Sequence, residues 1–274
     1  MSIDDLIGFT PPAPPETATD LADLSGAPAR LAVSGKTRTL ARLADWPGLE
    51  ALWAFEASEA QLGEIAARCR PRYLNVWGFK TPDLAWLRPL AADGRLAALE
   101  LSRNTRLADL SAVSGFPALR LLSIVSCPRV RDLAPVGDLA NLEILDLGGG
   151  MWNTFRVATL TPVARLEKLR FVALKAIRVE DESLAPLAGL GRLERLELSN
   201  QFPTEEFARL SVALPRAACT LFAPYTEVNI GGKARTVRVT GKRKPILALP
   251  DDQAKLDRYV ARFRALQDKF RQGG

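Results

Sequence analysis

Apolar residues recur along this chain in a short, regular pattern. Leu96, Leu119 and Leu142 each open a stretch of the form LxxLxL, and they follow one another at intervals of 23 residues. Within each stretch the fourth and sixth residues are apolar, while the residues on either side of them vary. This alternation is typical of a short β-strand with one buried face. The pattern therefore predicts one strand in each repeat.

The two apolar columns continue through nine repeats. The fourth position falls on Leu31, Leu52, Leu74, Leu99, Leu122, Leu145, Val172, Leu196 and Cys219. The sixth position falls on Val33, Ala54, Val76, Leu101, Ile124, Leu147, Leu174, Leu198 and Leu221. Because one repeat cannot bury its own apolar face, we expect the repeats to stack and build a parallel sheet over a shared core. Asn104 and Cys127 stand where the chain leaves its strand, and a polar side chain there can bond the turn backbone.

The second half of several repeats reads DLxxV, as in Asp109–Leu110 with Val113 and Asp132–Leu133 with Val136. With LxxLxL, this resembles the leucine-rich repeat proteins, and in particular their short-repeat, internalin-like subclass, over residues 27–222. The resemblance implies an α/β fold: a curved parallel sheet of about nine coils with short 3₁₀ turns on the convex side. It also implies a bacterial, cytosolic protein that binds another protein.

Different patterns precede and follow the repeats. Residues 1–26, which include the proline-rich segment 11–15, are expected to form an extended lead-in or cap. Residues 223–274 are expected to form a β-hairpin with Gly231–Gly232 as its turn, and then an amphipathic helix after Pro250. We expect this helix to seal the last coil, and the alternative is a docking helix for a partner.

The third, fifth and seventh residues of each predicted strand point away from the core. Adjacent strands lie about 4.8 Å apart, so aromatic residues in these columns should form one cluster, extended by an apolar strip and flanked by polar groups. The predicted partner-binding residues are Trp53, Phe55, Arg72, Tyr73, Asn75, Trp77, Glu100, Arg103, Leu121, Val125, Ile144, Asp146, Trp152 and Phe171. Aromatic and arginine side chains with polar neighbours are typical of a protein-binding hot spot. The alternative is that the N-terminal segment covers the rings.

Trp152 differs from the other candidates because it lies in the insertion of the longest repeat, after Gly148–Gly150. Insertions in repeat proteins commonly fall at the rim of a binding face, so we expect Trp152 to be a second anchor there. The alternative is that its ring simply packs on the neighbouring coil.

The composition argues against catalysis. The chain has no histidine, which removes the imidazole as general base, nucleophile activator and metal ligand. Three cysteines far apart in sequence predict neither a disulfide framework nor a zinc site, and they favour a reducing cytoplasm. Ser34–Thr37 ends like a phosphate-binding loop, but Arg30 stands where that loop needs glycine. We predict a non-catalytic protein without metal or cofactor, with an enzyme on a repeat scaffold as an alternative.

Positive charge is concentrated at the C-terminal end. Residues 228–274 hold 12 Lys and Arg against 4 Asp and Glu, so this tail has a net charge of +8. The rest of the chain has a net charge of −2, which gives the whole chain +6. The tail is either a solvated end or a site for nucleic acid or another polyanion. The basic residues that would form such a site are Lys242, Arg243, Lys244, Arg235, Arg238, Arg258 and Arg262. No apolar run is long enough to span a membrane and no secretory signal is expected, so we predict a chain without a membrane span. We also predict a monomer.

Overall fold

A computed structural model describes residues 12–151, 153–229 and 235–272, and its main feature is an eight-stranded parallel sheet. In chain order, the strands of the repeat region are β1 (Arg30–Ser34), β2 (Ala51–Phe55), β3 (Tyr73–Trp77), β4 (Ala98–Ser102), β5 (Leu121–Val125), β6 (Ile144–Gly148), β7 (Phe155–Val157), β8 (Phe171–Lys175), β9 (Ile177–Val179) and β10 (Arg195–Leu198). Strands β7 and β9 form a separate parallel pair, and the other eight form the sheet.

Each strand of the sheet pairs in register with the next, so the apolar columns of the sequence are also columns in space. Leu99 pairs with Leu122, and Leu101 pairs with Ile124. All four side chains are fully buried in one core that runs along the stack of coils. The predicted α/β leucine-rich repeat solenoid is thereby confirmed.

The convex side carries mostly 3₁₀ turns, as predicted. These turns in the solenoid are Leu40–Asp45, Ala85–Leu87, Ser111–Gly115, Ala134–Asp138, Thr161–Arg165 and Ala185–Leu187. The helical elements are α1 (Glu59–Arg68), the single turn α2 (Arg88–Ala91), and α3 (Thr204–Ala213). Helices α1 and α3 take the place of a 3₁₀ turn in two of the coils.

Helix α1 forms because its sequence carries a complete helix start. The Ser58 hydroxyl accepts a hydrogen bond from the Gln61 N–H, while the Gln61 side chain accepts one from the Ser58 N–H. This reciprocal capping box stabilises the first turn. Leu62, Ile65 and Ala66 then lie on one face and are buried against the core.

The turn after β4 is anchored by Asn104, which is fully buried. Its side-chain oxygen accepts hydrogen bonds from the N–H groups of Arg106 and Leu107, at 2.7 and 2.8 Å. Its amide donates to the carbonyl of Thr81 in the preceding coil, at 2.9 Å. One side chain thus shapes its own turn and ties two coils together.

The predicted ninth strand is reduced to a single bridge between Arg195 and Ala218. Leu221 is still buried, yet the chain turns into the 3₁₀ segment Thr220–Phe222 and leaves the sheet. The solenoid therefore has eight paired strands and a vestigial ninth.

A three-stranded antiparallel sheet and a helix follow the solenoid. These elements are β11 (Tyr225–Val228), β12 (Arg235–Val239), β13 (Ile246–Leu249) and α4 (Gln253–Gln272). Strands β11 and β12 form a hairpin, and the predicted turn residues Gly231 and Gly232 lie outside the described residues. On α4, Phe263 packs into the solenoid core, while Leu256 packs into the small core of the three-stranded sheet. Helix α4 thus links the two cores.

The lead-in runs along the free edge of β1. Thr17 forms a parallel bridge with Ala32, and the Ala18 N–H donates to the Ala32 carbonyl at 2.8 Å. Leu21 is fully buried against the first coil. This contact covers backbone groups that an exposed edge strand would leave unpaired.

Candidate binding face

The concave face of the sheet displays the third, fifth and seventh residues of each strand. Parallel register places equivalent residues side by side, so Tyr73 lies between Ala51 and Ala98. Phe55 lies beside Trp77 in the same way. The sequence therefore identified correctly which residues are neighbours on this face.

Part of the predicted aromatic cluster and most of its apolar extension are buried instead of open. The buried members, which we call the apolar strip, are Trp53, Tyr73, Leu121, Ile144 and Phe171, and each is at most 8% exposed. Together with neighbouring alanines they form a second apolar cluster on the concave side, separate from the solenoid core. The expectation that this strip is a solvent-exposed surface is wrong.

Contacts between neighbouring coils help to bury Trp53. Its ring centroid lies 5.0 Å from that of Tyr73, and the guanidinium of Arg30 lies over the indole at 5.3 Å from its centroid. Arg30 in turn donates a hydrogen bond to the carbonyl of Ala13 in the lead-in. Ala51 pairs in register with Tyr73, and both residues are fully buried. Contacts with Tyr73 of the neighbouring coil and with Arg30 therefore cover the Trp53 ring.

Solvent still reaches the concave face along the edge where the strands end, which we call the exit margin. It consists of the half-buried Phe55, Trp77 and Val125 and the exposed Arg103. The rings of Phe55 and Trp77 meet edge to face at 6.3 Å, and the guanidinium of Arg103 lies 4.6 Å from the Trp77 centroid. Trp77 is thus fixed between a ring and a cation while part of it stays accessible.

Polar residues occupy the middle column of the face. Asn75 donates from its amide to a carboxylate oxygen of Glu100 at 2.9 Å. The Ser123 hydroxyl donates to Asp146 at 3.0 Å. All four residues are half-buried. These predicted site residues form two hydrogen-bonded pairs beside the exit margin.

Burial changes the acidity of the two carboxyl groups in this column. Desolvation is the main cause that raises the pKa of Glu100 to about 6, while hydrogen bonds from Tyr73 and Asn75 oppose the rise. Desolvation also raises the pKa of Asp146. One oxygen of the Glu100 carboxyl is buried without a hydrogen-bond partner among the described residues. Ionisation of Glu100 therefore costs free energy in the folded state.

Replacement of Glu100 by glutamine is expected to stabilise the protein at alkaline pH. An acid with a raised pKa opposes folding as pH rises from about 4.5 to about 6, and the whole penalty persists above that range. We expect Glu100→Gln to raise the free energy of unfolding by up to about 2 kcal/mol near pH 8 and to change it little near pH 4. Urea unfolding at both pH values measures this difference. The exposed Glu180→Gln should show no such pH-dependent gain, and a loss of stability for Glu100→Gln at pH 8 would contradict the argument.

The opposite edge, where the strands begin, carries ion pairs between coils, and we call it the entry margin. Arg72, predicted to flank the binding site, lies here, 3.9 Å from Glu50. The tightest pairs of the entry margin, each with an N–O distance of 2.7 Å, are Arg95–Glu50, Arg120–Glu143 and Arg170–Glu194. Arg72 thus belongs to a set of structural ion pairs and is separated from Trp77 by the length of its strand.

The predicted second anchor, Trp152, lies outside the described residues, so its role stays a prediction. The neighbouring Met151 is 87% exposed. Gly149 allows the backbone of the Asn153 segment to approach closely, because a Cβ atom at position 149 would lie 2.2 Å from the carbonyl oxygen of Asn153. Only glycine fits this close approach of two backbone segments.

The three cysteines are buried or half-buried, and their thiols have raised pKa values. Burial raises the pKa of Cys69 to about 12 and the pKa of Cys127 to about 11, so both thiols stay protonated. Cys219 is half-buried, and desolvation raises its pKa to about 11. Across the described ranges, no group of three or more Cys, Asp or Glu side chains is arranged to hold a metal ion.

Several basic residues of the tail are already engaged. Lys242 forms an ion pair with Glu182, and Arg235 forms one with Glu227. Lys244 lies over an aromatic ring of α4 at 5.5 Å. These contacts reduce the number of cations that the tail alone could offer to a polyanion.

No family model matches this chain, and no curated protein sequence matches it either. Among solved structures, it is similar to internalin C2 from Listeria monocytogenes, with 23% identity, a TM-score of 0.48, and coverage of 65% of this chain and 72% of that chain. The leucine-rich repeat architecture assigned here rests on the chain's own strand register and 3₁₀ turns. Within the described ranges, no helix combines the length and the apolar character needed to cross a lipid bilayer.

Proposed function

We propose that this chain is a non-catalytic scaffold that binds another protein through the exit margin of its concave face. The observation that carries the proposal is the geometry of Trp77. Its ring is half-buried and contacts the ring of Phe55. The Arg103 guanidinium lies 4.6 Å from the centroid of the Trp77 ring. A tryptophan that is fixed in place and partly open to solvent is a suitable anchor for a partner.

The surroundings of Trp77 support this proposal. Tryptophan, tyrosine and arginine dominate the binding energy of protein interfaces, and polar groups commonly form the rim. Here the Asn75–Glu100 and Ser123–Asp146 pairs lie next to the exit margin and can serve as that rim. Because the stacked coils hold these side chains in place before binding, little conformational entropy is lost when a partner docks.

Replacement of Trp77 by alanine tests the proposal. We expect Trp77→Ala to weaken capture of the partner by about 2 kcal/mol, which corresponds to roughly a 30-fold rise in Kd. The measurement is affinity capture from the native lysate with the wild-type chain, followed by titration of the captured protein against both variants.

The matched control is Ile246→Ala, which removes an exposed apolar side chain from the three-stranded sheet. It should leave the Kd unchanged. If Trp77→Ala and Ile246→Ala bind the partner equally well, the exit margin is not the contact surface.

We also infer that the chain acts as a monomer in a bacterial cytoplasm and is divided into a lead-in (residues 1–26), a solenoid (27–222) and a C-terminal cap (223–274). The internalin-like repeat pattern supports the bacterial origin, and the three free cysteines support a reducing compartment. An enzyme on this scaffold is the less favoured alternative. A ligand-dependent rise in melting temperature across a metabolite panel would favour it.

A further inference from the structure

A row of positive charges runs from coil to coil beyond the exit margin. In five coils, a basic residue stands immediately before a buried side chain as the chain turns away from the sheet. The members of this cation row are Lys80, Arg106, Arg129, Arg156 and Arg178. The buried residues that follow them are Thr81, Leu107, Val130, Val157 and Val179. All five cations are exposed, because alternate side chains in an extended segment point to opposite sides.

The segments that carry the cation row are stacked on one another. Arg156 and Arg178 are direct neighbours in the pairing of β7 with β9. Asn104, two residues before Arg106, donates to the carbonyl of Thr81, the residue after Lys80. Paired segments of this kind lie roughly 5 Å apart. The cations therefore follow one another along the stack of coils.

None of the five cations forms a close ion pair in the part of the chain that the structure describes. Arg178 interacts at longer range with the carboxylate of Glu182, whose pKa is lowered mainly by its hydrogen bond with Lys242. Aspartates stand three residues after four of them, but each accepts a hydrogen bond from a backbone N–H of its own turn. These bonds are Ala85 to Asp83, Ser111 to Asp109, Ala134 to Asp132 and Ser183 to Asp181, at 2.7 to 3.0 Å. The aspartates thus hold the 3₁₀ turns in place.

The arginines of the entry margin differ from the cation row because they form ion pairs within the structure. There, acids and bases alternate between coils and form ion pairs such as Arg120–Glu143 and Arg170–Glu194. The cation row contains one sign of charge only. Like charges placed opposite one another in a sheet destabilise it. An anion bound along the row would relieve the repulsion between these cations.

The cation row ends in a cleft of about 380 Å³ next to the tail. Arg156 and Arg178 line it from the solenoid, and Lys242 and Arg243 line it from the turn after β12. Glu182 also lines the cleft and contacts Lys242. Four cations against one carboxylate leave the cleft positive, so the line of charge continues into the tail.

We propose that the cation row binds the phosphate backbone of a single nucleic-acid strand. Guanidinium groups match phosphate oxygens in bidentate geometry, and four of the five residues are arginine. The row contains no aromatic side chain for base stacking, so we expect binding without sequence preference. It also lacks the apolar centre that a protein interface requires. This site is distinct from Trp77 and does not depend on the proposed protein-binding role.

The test is fluorescence anisotropy of a labelled oligothymidylate of about 20 nucleotides with the full-length chain. The variant Arg106→Gln/Arg129→Gln/Arg156→Gln should raise the Kd at least about 10-fold and lower the slope of log K against log salt by about 2 between roughly 50 and 200 mM NaCl. Its melting temperature should equal or exceed that of the wild type, because repulsion is relieved. The single variant Arg129→Gln should lower the slope by about 0.7.

The matched control is Arg258→Gln/Arg262→Gln/Arg264→Gln, which removes the same charge from exposed positions on α4. It should keep the Kd within about 2-fold of the wild type. Equal losses in the two triple variants, or unchanged binding in the first, would overturn the proposal. Binding of inorganic polyphosphate without binding of the oligonucleotide would overturn the assignment to nucleic acid.

Discussion

Replacement of Trp53 by alanine is expected to lower the free energy of unfolding by about 3 to 5 kcal/mol. The Trp53 side chain is 2% exposed and packs against Tyr73 with ring centroids 5.0 Å apart. Its removal would leave a cavity under Arg30, which lies over the indole. A buried tryptophan of this kind contributes apolar burial and contacts that alanine cannot replace.

Urea unfolding of Trp53→Ala and Trp77→Ala separates stability from binding. Trp77 is half-buried on the same face, so its truncation should cost less than about 2 kcal/mol of stability. The expected outcome is that Trp53→Ala mainly lowers stability and Trp77→Ala mainly lowers binding. If Trp53→Ala unfolds like the wild type and fails to capture the partner, the apolar strip is open in solution and acts as the binding surface.

Replacement of Asn104 by alanine is expected to lower the free energy of unfolding by about 3 kcal/mol or more. The substitution removes three hydrogen bonds of 2.7 to 2.9 Å from a fully buried side chain. It also leaves the Leu107 N–H and the Thr81 carbonyl without these bonds in a buried environment. An unsatisfied buried polar group costs more than the net contribution of the bond it loses.

The control for Asn104→Ala is Asn141→Ala. Asn141 is half-buried, and its amide donates to the Pro117 carbonyl at 2.8 Å while its oxygen accepts from Lys168. Both hydrogen bonds are open to solvent, so their loss should cost less than about 1 kcal/mol. Thermal or urea unfolding measures both variants. If the two asparagine variants are equally stable, the turn after β4 is held by its backbone and the role assigned to Asn104 is incorrect.

Most of the fold could be predicted because its cause is local and repeated. The fourth and sixth positions are apolar in each coil, and register then follows from burying both columns together. The Leu99–Leu122 and Leu101–Ile124 pairs are direct examples. The exceptions have local causes too. The Ser58–Gln61 capping box starts α1 in place of a 3₁₀ turn, and both residues of this signal are visible in the sequence.

The candidate site was less predictable than the fold. Whether a concave side chain is open depends on residues in other coils, and no pattern within one coil contains that information. Trp53 is closed by Tyr73 and Arg30, whereas Trp77 is only partly covered by Phe55 and Arg103. Both tryptophans occupy outward positions of their repeats, so the repeat pattern predicts the same exposure for both.

The cation row shows the same division. A basic residue before an apolar one recurs at Arg106, Arg129, Arg156 and Arg178, and this recurrence is visible in the sequence. The sequence does not show that these side chains lack carboxylate partners while the arginines of the entry margin have them. Pairing between coils is a property of the stacked structure.

The sequence by itself determined the strand positions, the parallel stacking and the leucine core, because alternation and repetition specify which face each coil must bury. The tertiary structure alone decided which concave side chains solvent reaches, which arginines are paired, and where the last coil leaves the sheet. These features depend on distances between residues of different coils, and such distances exist only after the coils have stacked.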